Sequence, residues 1–147
     1  MSLKERLLED MKTAMKDKDN IKKNSVQMVR SAVLQIEKDK KISLDDDGVI
    51  DVIAKEVKKR KDSLPEYEKS GRQDLVDNLQ QEINILIQYL PPQLSDEEVE
   101  AIVKEIVDET GINSKKDIGK LMQAVMPRVK GIADGKVVNR IVSKYLQ

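Results

Sequence analysis

The segment Asp117-Ile118-Gly119-Lys120-Leu121-Met122, continued by Met126-Pro127-Arg128-Val129-Lys130-Gly131 and Ala133-Asp134-Gly135, decides how this chain is read. Elsewhere the sequence is built mostly from helix formers. Here three of the six glycines and one of the four prolines fall within nineteen residues. Pro127 is poorly tolerated inside a helix, and Gly131 frees the backbone to turn. Asp134 is a good N-cap for a last helix. The segment therefore predicts helix, sharp basic turn, helix.

Working outward, period and caps place five more helices. Ser2 with Glu5 forms a capping box before a stripe of Leu7, Leu8, Met11, Ala14 and Met15. A second helix runs from about Ile21 to Lys40, with Val26, Val29, Ala32, Val33 and Ile36 on one face. A third begins near Ser43 or Leu44, carries Ile50, Ile53, Ala54, Val57 and Leu64, and is kinked or ended by Pro65. A fourth presents Leu75, Leu79, Ile83, Leu86, Ile87 and Leu90 and stops at Pro91-Pro92. Ser95 with Glu98 is a second capping box, opening a fifth helix lined by Val99, Ile102, Val103 and Ile106 and closed at Thr110-Gly111. Ser114 starts the sixth and Asp134 the seventh. No strand pattern competes. The expected fold is all-α, with a four-helix unit over residues 1–92 and a three-helix unit over residues 93–147, divided at the stiff Pro91-Pro92-Gln93 link.

Composition narrows the chemistry. The chain of 147 residues has no Cys and no His. Disulfides, zinc sites built on Cys or His, and Ser-His-Asp or Cys-His nucleophilic sites are excluded, and the usual general base at neutral pH is missing. No phosphate-binding loop or other cofactor pattern is present, so no cofactor is expected. Tyr67, Tyr89 and Tyr145 are the only aromatic residues, too few for a platform that stacks single-stranded bases. No stretch is long and apolar enough to span a bilayer, and the start lacks a secretory apolar run. The expectation is a cytoplasmic protein with no membrane partner.

The formal charge is zero, but it is unevenly spread. Residues 95–109 hold seven acids and one Lys, whereas residues 115–147 hold eight basic residues and two acids. Lys136, Arg140 and Lys144 are four apart and form one helical stripe, nearly opposite Val138, Ile141 and Tyr145. Lys116 and Lys120 form a similar pair on the sixth helix, with Arg128 and Lys130 in the following turn. If these seven converge they make a site for RNA phosphates; the alternative is a solvated charged face. The backbone of residues 131–135 is a weaker anion site, because Asp134 would occupy its donors.

Two further constellations deserve a test. Ser43 to Asp51 places oxygen ligands and Gly48 near calcium-loop spacing. Position one is Ser, however, and position twelve is Ala54 rather than Glu, so an acidic helix start is the better reading and no metal is expected. Glu82, at the edge of the fourth helix's apolar face, is expected to pair with Arg60 or Lys61 and fix the packing of helices three and four.

The C-terminal segment, together with Gly71-Arg72-Gln73-Asp74-Leu75-Val76, Glu82 and Tyr89-Leu90-Pro91-Pro92-Gln93-Leu94-Ser95, resembles the GatB/YqeY family. That family comprises the tail of the B subunit of tRNA-dependent amidotransferases and its small free-standing relatives. Gln27 departs from it where a basic residue is usual, and Ile132 where Arg is usual. The resemblance implies two helical domains and a non-catalytic RNA-binding accessory module directed at tRNA, because the transferase body performs the chemistry and the tail contributes to tRNA recognition. The alternative is a protein-docking module associated with a glutamine-dependent carbon–nitrogen ligase, binding through the acidic fifth helix or between the units.

Overall fold

A computed structural model describes all residues, Met1–Gln147. The protein is all-α. Its helices are α1 (Leu3–Lys16), α2 (Asn20–Lys40), α3 (Asp46–Lys69), α4 (Gln73–Ile87), α5 (Asp96–Thr110), α6 (Ile118–Val129) and α7 (Gly135–Lys144), with a short 3-10 turn at Lys115–Asp117 before α6. The chain divides into two compact units, Met1–Leu90 and Pro91–Gln147. Each has its own apolar core.

In the first unit, Ser2 and Glu5 form the reciprocal capping box of α1. Asp19 caps α2 and Asp45 caps α3, each side chain accepting from a backbone N–H three residues on. Asp46 accepts from the Leu3 N–H at 3.0 Å. The acids of the calcium-like stretch thus cap two helix starts, which is what an N-terminal dipole favours. α3 begins at Asp46, slightly later than expected, because Asp45 takes the cap. It continues through Pro65 to Lys69. Pro65 itself is exposed, and the one hydrogen bond it cannot donate, to the Lys61 carbonyl, does not end the helix.

The core of this unit joins Leu7, Val26, Val29, Ile53, Ile83 and Leu86, all but inaccessible to solvent. Burying each such side chain contributes about 1.5–3 kcal/mol. Across the packing of α3 against α4, Arg60 Nε donates to Glu82 Oε2 at 3.2 Å. Of the two expected cations, Arg60 is the one used. Its guanidinium also donates to the Glu56 carbonyl at 3.0 Å and reaches the Met28 Sδ at 3.4 Å. At the end of α4, the buried Tyr89 donates its hydroxyl to Asp10 while the Arg6 guanidinium lies 4.6 Å from the ring centroid. Burial, reinforced by Asp10, pushes the Tyr89 phenol well above its ordinary pKa, so it remains a donor.

In the second unit, Ser95 and Glu98 form the capping box of α5, and Val99, Val103, Leu121, Val125, Val138 and Ile141 meet at its centre. Ser114 caps the 3-10 turn rather than α6 itself. Arg128, expected in the basic turn, lies in the last turn of α6, which runs past Pro127 to Val129. Pro127 is tolerated because the carbonyl it leaves unpaired, that of Gln123, belongs to an exposed residue near the helix end. Asp134 caps α7 through the Lys136 N–H at 2.8 Å. The link is held to this turn: Leu94 N–H donates to the Ile132 carbonyl at 2.7 Å, and Gln93 Nε2 to the Gly131 carbonyl at 3.0 Å.

α5 ends on Gly111, whose φ of +71° is left-handed. An added Cβ there would meet no atom within 4 Å. The cost of Gly111→Ala is therefore backbone strain alone, and about 1–2 kcal/mol is expected, read as a lower melting midpoint for α5–α7.

Candidate functional site

All seven cations singled out in the C-terminal unit are exposed: Lys116, Lys120, Arg128, Lys130, Lys136, Arg140 and Lys144. The α7 stripe of Lys136, Arg140 and Lys144 faces solvent, with Val138 and Ile141 buried behind it. Lys116 lies on the 3-10 turn and Lys120 in the first turn of α6, where it pairs with Asp117 at 3.8 Å.

The acidic helix α5 packs against both α6 and α7 and takes hold of their arginines. Arg140 bonds to Asp96 at 2.7 Å, and Arg128 bonds to Glu105 at 3.2 Å. Tyr145 donates to Glu100 at 3.1 Å, and burial first, then Glu100, raises its phenolic pKa. Asp96 and Glu105 are nine residues apart, which turns them about 180° from one another around α5. Arg128 and Arg140 are consequently drawn to opposite flanks of α5. The seven cations share one small unit but are not gathered into one uncompensated patch. Signal for this was present in the sequence: the acidic run of residues 95–109 and the basic run after 115 are complementary.

The first unit holds a different feature. α1 and α2 run antiparallel, since Lys4 pairs with Glu37 while Met11 meets Arg30. Between them lies a groove of about 190 Å³ lined by Leu8, Val33, Leu34, Lys4, Arg30 and Glu37 among others. Leu34, on α2, is 58% exposed. Lys4 first, and the Leu44 N–H after it, hold the Glu37 carboxyl below its ordinary pKa. Arg30 is half-buried, and its Nη1 donates to the Met11 Sδ at 3.5 Å.

Sequence reasoning did not single out Arg30 or Leu34. Leu34 lies off the stripe of Val26, Val29, Val33 and Ile36, and the stripe on α1 that includes both Leu8 and Met15 is wider than one packed face needs. Those two excesses were the available signal.

A family model described as Yqey-like protein matches residues 4–146. A protein of Kluyveromyces lactis, altered inheritance of mitochondria protein 41, mitochondrial, is 38% identical, covering 95% of this chain and 80% of its own length. Proteins of the same name from Pyrenophora tritici-repentis and Vanderwaltozyma polyspora are each 29% identical, covering 97% and 95% of this chain and 77% and 80% of their own. These relatives are mitochondrial by name, which overturns the expected cytoplasmic location. That expectation rested on the lack of a secretory or bilayer-spanning segment, and such a lack says nothing about organelle import, which uses amphipathic, arginine-rich leaders. No helix is long and apolar enough to cross a membrane. With a family model matched across nearly its whole length and a relative above one-third identity, the chain belongs to the Yqey-like protein family.

Proposed function

We propose that this chain is a non-catalytic accessory module that docks onto a protein partner through its N-terminal unit. The observation that carries the reading is the open groove between α1 and α2, lined by the half-exposed Leu34 with Leu8 and Val33. A single exposed apolar side chain is ordinary, but one that lines an apolar groove with its neighbours marks a candidate interaction surface. The lack of His and Cys supports a role outside catalysis. The resemblance to an amidotransferase tail supports a glutamine-dependent carbon–nitrogen ligase acting on tRNA as the partner class, without bringing that enzyme's reaction to this chain. Calorimetric titration against a purified tRNA-dependent amidotransferase tests it. Binding that disappears in Leu34→Glu is expected; no binding, or binding indifferent to that change, overturns the reading.

A second reading, tRNA-directed RNA binding, is favoured by the exposed α7 stripe with Lys116, Lys120, Arg128 and Lys130 nearby in sequence. Contact with about four phosphates gives a slope of log affinity against log salt of roughly −3 to −4. Replacing Lys136, Arg140 and Lys144 together with Gln is expected to flatten that slope. Replacing Asp96 with Asn and Glu105 with Gln is expected to strengthen binding by releasing two arginines. Absence of tRNA binding at low salt ends this reading.

A further inference from the structure

We infer that the groove between α1 and α2 receives an acidic amphipathic helix from the partner, its apolar face on Leu8, Val33 and Leu34 and one of its carboxylates on Arg30. This rests on the docking reading and adds the chemistry of the docked segment. The valley between two antiparallel helices is shaped for a third helix, whose residues at i, i+3, i+4 and i+7 fill it.

Arg30 sets the charge preference. A guanidinium carries five donors, and the acceptor that Arg30 finds within the unit is a thioether, among the weakest available. Lys4, the other cation lining the groove, is already bound to Glu37 and Ser43. A carboxylate arriving at Arg30 would gain a charge-assisted and bidentate contact beside apolar walls, where such bonds are strongest. Lys23 lies two helical turns before Arg30 on nearly the same line of α2, and of the two acids lining the groove Glu37 is already paired with Lys4, which leaves Glu5 as the one carboxylate an anionic partner would have to avoid. Met11, which meets Arg30 from α1, is unbranched and adjusts to the partner's side chains.

The test uses the full chain labelled with nitrogen-15 and two synthetic peptides of one leucine-based amphipathic helix, one flanked by Glu and the other with Lys at the same positions. Vesicles of phosphatidylcholine and phosphatidylserine are run in parallel. The Glu peptide is expected to shift the amide resonances of Leu8, Arg30 and Leu34 and to bind about tenfold more tightly than the Lys peptide. Arg30→Gln should remove that preference while Leu34→Ser weakens both peptides, with urea midpoints showing that each variant is folded. If both peptides shift the groove equally, the acidic preference is wrong and the docking reading stands. If neither peptide shifts it, both fall. Shifts produced by the vesicles alone, or by raising the protein concentration alone, assign the surface to lipid or to a second copy and overturn the inference.

Discussion

Replacing Arg60 with Ala is expected to destabilise the N-terminal unit by about 3–5 kcal/mol, the largest effect of any single charged-residue change in the chain. The Arg60 side chain is 7% exposed, and its partners Glu56 and Glu82 are 9% and 20% exposed. Glu56 retains Lys59 at 3.1 Å after the change, but Glu82 is left facing the α3–α4 seam without a cation. The guanidinium bond to the Glu56 carbonyl and the packing of the arginine stem are lost as well. Urea unfolding followed by circular dichroism checks this through the midpoint of the first unit. Arg60→Met combined with Glu82→Leu separates the causes: replacing both partners with apolar groups should recover most of the loss, because it removes the unpaired charge along with the pair. Equal instability of the single and double variants would mean that the arginine acts through its shape alone.

Leu121→Ala is expected to bring α5–α7 close to unfolding while leaving α1–α4 intact. Leu121 is fully buried at the centre of the second core. Truncating such a residue costs about 2–5 kcal/mol, transfer and cavity together. A unit of about sixty residues has about 3–9 kcal/mol in hand. One truncation therefore consumes most of it. Each unit has a separate core, so the loss should stay local. Amide hydrogen exchange reads the outcome directly: protection lost across residues 96–144 and kept across residues 3–87. Loss in both regions at once would show that the two units fold as one.

These cases also mark what the sequence could disclose. The helices were legible because caps and period agreed: Ser2 with Glu5, Ser95 with Glu98, and Asp134 each sit where the backbone donors need them. The Arg60–Glu82 pair was legible because a carboxylate at the edge of an apolar face has to find a cation. The sequence left open whether Pro65 kinks or ends the third helix, and it did not disclose the helical course through Pro127, since the missing bond costs less where the freed carbonyl is exposed, and exposure is a tertiary property. The complementary runs of acids and bases foreshadowed that α5 would pair with the C-terminal cations, but not which arginine meets which acid, because that depends on α5 lying across both α6 and α7. The groove was missed for a similar reason: Leu34 and Arg30 line one groove only because α1 runs back along α2.

Which unit meets the proposed partner separates the two readings. One titration compares Leu34→Glu with the Lys136→Gln, Arg140→Gln, Lys144→Gln triple variant, both against the same purified tRNA-dependent amidotransferase with bound tRNA removed. The docking account predicts that the first variant abolishes binding and that the triple variant binds as the unaltered chain does. Unchanged binding by Leu34→Glu together with loss in the triple variant would contradict it and return the function to the basic face of α7.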